Sequence, residues 1–186
     1  MTRIIAGTHG GRRLSTPTGD RTRPTTDRVR EAVFSALEAW AGGGLAGCSF
    51  LDLYAGSAAM ALEAASRGAR PVLAVESDRR TADLARGNVR SLGLRVDVRT
   101  GTVADLLAGP APYAFDIIWA DPPYAVPTAD LERSLGSVWR TGWLAADGLL
   151  AVERSARDVA PRWPDGVDTW TRRYGETAIH YAQEDR

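Results

Sequence analysis

Phe115 to Tyr124 reads Phe-Asp-Ile-Ile-Trp-Ala-Asp-Pro-Pro-Tyr, an apolar run that stops at a carboxylate, two prolines and an aromatic ring. Those groups suit the activation of an exocyclic amine on a nucleobase. Such a nitrogen is a poor nucleophile because its lone pair is delocalised into the ring. Two acceptors off the base plane, the Asp121 carboxylate and the Pro122 carbonyl oxygen, can each take one N–H. The nitrogen then becomes pyramidal and its lone pair points at an electrophile. Pro122 and Pro123 restrict the backbone to φ of about −65°, so the carbonyl dipole is oriented in advance. Tyr124 can stack on the base, an interaction worth roughly 1–3 kcal/mol. Taken without its surroundings, Asp-Pro-Pro-Tyr is equally an ordinary turn.

The surroundings decide. Phe115–Ala120 has the β-branched and aromatic content of a strand buried on both faces, and the prolines forbid its continuation. In an open α/β sheet, the rim where strands end in this way is where ligands bind. The rest of the chain supplies that sheet. Strands are predicted at Ser49–Tyr54, Pro71–Glu76, Leu94–Arg99, Phe115–Ala120 and Gly148–Glu153, alternating with helices at Ser57–Arg67, Ser77–Leu92, Val103–Ala108 and Thr128–Arg140. Such alternation builds a parallel sheet with helices on both faces. Asp168–Arg173 and Glu176–Ala182, separated by Tyr174-Gly175, read as an edge hairpin. Ahead of the core, Thr26-Asp27 is a helix start, with Val29, Val33, Ala36/Leu37 and Trp40 on one face and Gly42-Gly43-Gly44 as the stop. Thr2–Ala6 and Arg12–Ser15 form a small hairpin or ribbon.

An electrophile needs a carrier. After the first sheet strand comes Asp52-Leu53-Tyr54-Ala55-Gly56-Ser57, where glycine permits close backbone approach and a helix N-terminus points N–H groups at a ligand. Asp52 is placed to take a cation. Twenty residues past Gly56 the second strand ends in Glu76, where an acid accepts both ribose hydroxyls. These residues fit an adenosine-bearing cofactor. A dinucleotide fits poorly, because Ala58 and Ala61 stand where two glycines of the phosphate fingerprint are required. S-adenosylmethionine has no pyrophosphate, carries an ammonium for Asp52, and offers the methyl electrophile that Asp121 needs.

The 186 residues, 44% hydrophobic and 25% charged, fit one domain with a proper core. The single cysteine, Cys48, rules out an internal disulfide and fits a reducing, cytoplasmic setting. With His9 and His180 its only other soft-ligand company, a zinc site is not expected. No apolar run is long enough to span a membrane and no signal peptide is evident. All 23 positive residues are arginine, as codon bias in a GC-rich genome produces, and the net charge is zero. Residues 1–30 nevertheless hold seven arginines against two aspartates, a local +5. A basic end on a mildly acidic body is the footprint of phosphate contact, and arginine suits it through its planar fork.

At this point the chain resembles the RsmD-type 16S rRNA (guanine-N2)-methyltransferases. The resemblance rests on Arg3-Ile4-Ile5-Ala6-Gly7, Gly11-Arg12-Arg13-Leu14, Arg23-Pro24-Thr25-Thr26-Asp27-Arg28-Val29-Arg30-Glu31, Asp52-Leu53-Tyr54-Ala55-Gly56-Ser57, Leu62-Glu63-Ala64 and Asp121-Pro122-Pro123-Tyr124. It implies a Rossmann-like class I methyltransferase core of seven strands with an antiparallel edge, residues 27–186, behind a small RNA-holding extension, residues 1–26. It implies S-adenosylmethionine-dependent methylation of the guanine N2 at position 966 of 16S rRNA, in the small (30S) subunit, by a monomer. Asp121, Pro122, Pro123 and Tyr124 carry the catalytic role. Thr25, Arg28, Asp52, Tyr54, Ala55, Gly56, Ser57, Glu76, Ser77, Thr102 and Val103 join Asp121 around the cofactor. Arg3, Arg12, Arg13, Arg21 and Arg23 contact RNA.

The chain departs from the family pattern in two respects. Ala58 and Ala61 replace glycines, so their methyl groups are expected to crowd the methionine pocket, and Gly101-Thr102-Val103 offers the adenine amine a hydroxyl where relatives place Asp or Asn. Three other readings compete. An adenine-N6 DNA methyltransferase shares Asp-Pro-Pro-Tyr but calls for a larger target-recognition domain. A non-catalytic RNA-binding assembly factor would use the fold as a platform. A nicotinamide oxidoreductase lacks its glycines here.

Overall fold

A computed structural model describes residues 2–17, 26–123 and 125–184. Seven strands form one sheet in the order β3-β2-β1-β4-β5-β7-β6. These are β1 (Phe50–Leu53), β2 (Val72–Glu76), β3 (Asp97–Thr100), β4 (Phe115–Ala120), β5 (Leu144–Ser155), β6 (Val167–Tyr174) and β7 (Thr177–Glu184). The first five run parallel, and β7 pairs antiparallel with both β5 and β6. The chain winds outward from β1 to β3 and then returns to place β4 on the other side of β1. That reversal opens a crevice between the C-terminal ends of β1 and β4.

Each face of the sheet has its own core. On one side α1 (Asp27–Trp40), α2 (Ala59–Ser66) and α3 (Arg79–Leu92) pack Val33, Phe34, Leu37, Leu62 and Ala85 against Phe50, Ile117, Trp119 and Ala151. On the other, α4 (Val103–Ala108) and α5 (Thr128–Leu135) pack Leu107, Leu131 and Leu135 against Leu51, Ile118 and Val152. The split follows from strand geometry, since successive side chains point to opposite faces. Helix starts are chemically marked. The Thr26, Asp78 and Thr102 side chains accept the N–H of Val29, Thr81 and Asp105, caps worth about 1 kcal/mol each.

Three boundaries differ from the sequence reading by three residues or more. Strand β3 begins at Asp97 rather than Leu94, because α3 ends in a left-handed Gly93 and the chain needs Leu94–Val96 to turn back. Helix α5 stops at Leu135, not Arg140. Beyond it the Ser137 hydroxyl donates to the Ser134 carbonyl at 2.6 Å, and the Ser137 and Val138 amides bond three residues back rather than four. Strand β5 starts earlier, at Leu144, and carries a bulge: Phe115 pairs with Leu144 but Ile117 with Leu149. Gly148 permits it, for a Cβ there would lie 2.8 Å from the Leu144 side chain and 2.9 Å from the Ala145 carbonyl oxygen.

The N-terminal ribbon is bound tightly to the first core. Arg3 and Arg13 form an antiparallel bridge across the 3-10 turn Gly7–His9. Ile4 and Leu14 are buried against α1 and α2, each worth roughly 1.5–3 kcal/mol. The fully buried Glu63 accepts the N–H groups of Ile5 at 2.6 Å and Ala6 at 3.0 Å while pairing with Arg67 at 2.8 Å. Gly7 lies so close to α2 that a Cβ would meet the Ser66 carbonyl oxygen at 2.0 Å. Among the described residues no helix is long and apolar enough to cross a membrane, and no cluster of three His, Cys, Asp or Glu could hold a metal ion.

Candidate functional site

A cavity of about 530 Å³ opens at the crevice between β1 and β4, within the range of small-molecule sites. Its floor is the end of β1 and the turn after it, which contribute Asp52, Tyr54, Ala55, Gly56 and Ser57. Tyr54, Gly56 and Ala58 all take left-handed backbone angles, φ +62°, +54° and +63°. For the two non-glycines this costs about 1–2 kcal/mol each. The turn is held by the Ala55 N–H on the Val75 carbonyl at 2.8 Å and by the Gly56 N–H on the Glu76 carboxylate at 2.9 Å.

Ala58 and Ala61 do not crowd this space. Both are fully buried, and both pack into the core beneath α2, outside the cavity wall. Ala61 contributes instead through its N–H, which donates to Asp52 at 3.0 Å. The expectation of a narrowed pocket is therefore corrected.

Glu76 and Ser77 form the next wall. The two Glu76 oxygens accept the N–H groups of Gly56 and Asp78 at 2.9 and 2.8 Å, which fixes the carboxylate and leaves lone pairs for a ligand diol. Gly101, Thr102 and Val103 line the adjoining side. The Thr102 hydroxyl, however, donates to the Asp105 carboxylate at 2.7 Å and accepts the Asp105 N–H at 3.1 Å, so capping α4 already occupies it.

Trp119, Asp121, Pro122 and Pro123 close the cavity from β4. Asp121 is open to the cavity, yet dehydration by the surrounding walls and the charges of Glu153 and Asp52 raise its pKa well above the usual carboxylate value, with Arg154 opposing. Asp52 is 2% exposed. Burial pushes its pKa up to about 7, against the Ala61 hydrogen bond and with help from Glu76. Four carboxylates, those of Asp52, Glu76, Asp121 and Glu153, thus face one space, a setting that favours a cationic ligand.

One cation does face them. Arg30, 2% exposed, lines the cavity together with Thr2, Thr16 and Pro17. Its guanidinium donates to the Arg3 carbonyl oxygen and to Asp27 at 3.0 Å, while its buried Nε has no hydrogen-bond partner among the described residues. Burial lowers its pKa against the charges of Asp27 and Glu63. The sequence reading selects Arg28, which is exposed and outside the cavity wall. Two residues along a helix is a rotation of about 200°, so Arg28 and Arg30 cannot share a face. The buried Asn88, also absent from the sequence reading, ties α3 to both Ser15 and the Ser57 carbonyl, at 2.9 and 3.0 Å.

Among the arginines expected at RNA, Arg3, Arg12 and Arg13 are exposed on the ribbon, with Arg3 paired to Asp27 at 3.0 Å. Arg21, Arg23, Thr25 and Tyr124 lie outside the described residues.

Residues 2–183 match the family described as Conserved hypothetical protein 95. The chain is 34% identical over 164 residues to the Ribosomal RNA small subunit methyltransferase D of Escherichia coli, covering 87% of this chain and 79% of that protein. It is 32% identical over 156 residues to the protein of the same name from Haemophilus influenzae, covering 81% and 77%. Among solved structures, yhhF of Escherichia coli superposes with a TM-score of 0.84 at 29% identity, covering 100% of this chain and 98% of that one.

Proposed function

Since the chain belongs to the Conserved hypothetical protein 95 family, in company with the small-subunit rRNA methyltransferases D, we propose that it transfers a methyl group from S-adenosylmethionine to small-subunit rRNA, at the N2 amine of a guanine. By its resemblance to the RsmD-type enzymes this is guanine 966 of 16S rRNA, presented in the 30S subunit to a cytoplasmic monomer. The fold is that of the class I S-adenosylmethionine-dependent methyltransferases. The observation that carries the reading is the meeting of Asp52, Glu76 and Asp121 around one cavity at the sheet's reversal point.

The residues present fit the cofactor. Asp52 suits its ammonium, Glu76 its ribose hydroxyls, and the guanidinium of Arg30, on the cavity wall, its carboxylate. Bound there, the cofactor supplies a methyl carbon made electrophilic by its sulfonium. The chain does the rest by positioning. Asp121 and the Pro122 carbonyl take the two amine N–H groups and turn the N2 lone pair toward the methyl carbon, with Tyr124 on the base face. The cofactor would supply the methyl group and keep the C–S electron pair on its sulfur, and Asp121, whose pKa is raised, would take the surplus N2 proton. Orientation supplies most of the acceleration. Residues 1–26 act as the RNA-contacting extension, through Arg3, Arg12, Arg13, Arg21 and Arg23.

Small-subunit RNA from a strain lacking this gene is expected to have lost one N2-methylguanine, read by primer extension and by mass spectrometry of the digested RNA. An unchanged N2-methylguanine signal would refute the assignment.

A further inference from the structure

We propose that Glu153 sets the choice of guanine over adenine, by accepting the N1–H that adjoins the amine held by Asp121. The inference rests on the guanine-N2 reading above and assigns a specificity role within that site. Strands β4 and β5 pair in parallel as far as Ala120 beside Val152, and Asp121 and Glu153 are the residues that follow this last pair. Neighbouring strands lie about 4.8 Å apart, which puts the two carboxylates within reach of one purine edge. Ala120 and Val152 belong to the core under α4 and α5, and the residues that follow them, Asp121 and Glu153, both line the cavity.

The chemistry of that edge is decisive. Guanine presents N1–H and the N2 amine as adjacent donors, whereas adenine presents a lone pair at N1 next to its amine. Ionised carboxylates only accept. Two of them side by side therefore complement the guanine edge and oppose a lone pair at the second position. The same proximity appears in the electrostatics, for the charge of Glu153 raises the proton affinity of Asp121. The other groups bearing on Asp121 are Asp52 from β1 and Arg154, the latter 3.1 Å from Asp158. Discrimination of this kind, where a site built around one hydrogen bond meets a substrate lacking it, reaches on the order of 10⁴-fold.

The test uses small subunits rebuilt with 16S rRNA carrying either guanine or 2-aminopurine at the nucleotide that the wild-type enzyme methylates. The analogue keeps the 2-amine but has a lone pair at N1. Wild-type enzyme is expected to lose roughly 10²–10⁴-fold in kcat/KM on the analogue. Glu153→Gln can offer N1 an amide N–H, and its ratio should close to within about tenfold, by losing rate on guanine and gaining it on the analogue. Equal wild-type rates on both substrates, or a ratio in Glu153→Gln equal to that of wild type, would overturn the proposal. Should the variant not fold, the wild-type ratio alone decides. If wild-type enzyme forms no N2-methylguanine on the guanine subunits, the guanine-N2 reading falls, and this inference with it.

Discussion

The Asp52 carboxylate and the Ala61 backbone N–H meet at 3.0 Å beneath the cavity floor. That bond is too little to keep a 2% exposed carboxylate acidic, and its pKa rises to about 7. Below that value Asp52 is neutral; above it the group is ionised and can hold an ammonium. Cofactor affinity should therefore be weaker at pH 6 than at pH 7.5, by up to about tenfold for one titrating group. Calorimetry at the two pH values checks this, and Asp52→Asn should flatten the dependence. The stability effect has the opposite sense. The folded pKa lies above the ordinary 3.8, so this group's contribution to stability declines as pH rises from about 4 to about 7.

Asp121→Ala should reduce methyl transfer by roughly 10²–10³-fold or more, the scale for removing one preorganised polar group from the reacting centre. Cofactor binding should survive, because Asp52, Glu76 and Arg30 remain. Single-turnover rates beside a binding isotherm separate the two effects; loss of binding would contradict the assigned role.

Arg30→Gln should weaken the cofactor by on the order of tenfold to a hundredfold, the cost of a charged hydrogen bond in a buried place. An analogue of the cofactor without its carboxylate should bind wild type and variant alike. A double-mutant cycle with that analogue isolates the pair from any general loosening of α1.

How much of this is legible in the sequence depends on the range of the interactions involved. The turn after β1, the arrest of β4 at Asp121 and the alternation of strands and helices are written in glycines, prolines and β-branched runs, all local signals. The apolar stripe of α1 is legible, with Val33 and Leu37 buried and Val29 and Trp40 packed against the core. Arg28 follows from the resemblance and not from that stripe, and nothing local marks Arg30 as the buried arginine. Glu63, Asn88 and Glu153 carry no local signature, since their partners are set by packing between segments distant in sequence. The bulge in β5 is of the same kind, because only pairing with β4 defines it.

Glu63→Ala would leave two backbone N–H groups and the Arg67 guanidinium without their buried acceptor. A loss of about 3 kcal/mol is expected, mostly from the two stranded N–H groups at roughly 1–3 kcal/mol each, since Glu38 still pairs with Arg67 at 3.1 Å. Thermal unfolding measures it, and limited proteolysis should then cut first within the ribbon.

Transfer to small subunits should slow as salt rises. Replacing Arg12 and Arg13 together by alanine should lower the slope of log kcat/KM against log salt by about 1–2, since each phosphate no longer neutralised removes roughly 0.7–0.9. An unaltered slope would remove these two from the RNA-binding surface.

The ribbon that walls the cavity with Thr2 and Thr16 takes its anchors from Glu63, Ser66 and Asn88. Those anchors follow it in the chain by 57 to 73 positions, from Ser66 after His9 to Asn88 after Ser15. The pocket consequently cannot exist on a nascent chain that stops short of α3, and a fragment cut before that helix is destined to be blind to its ligand.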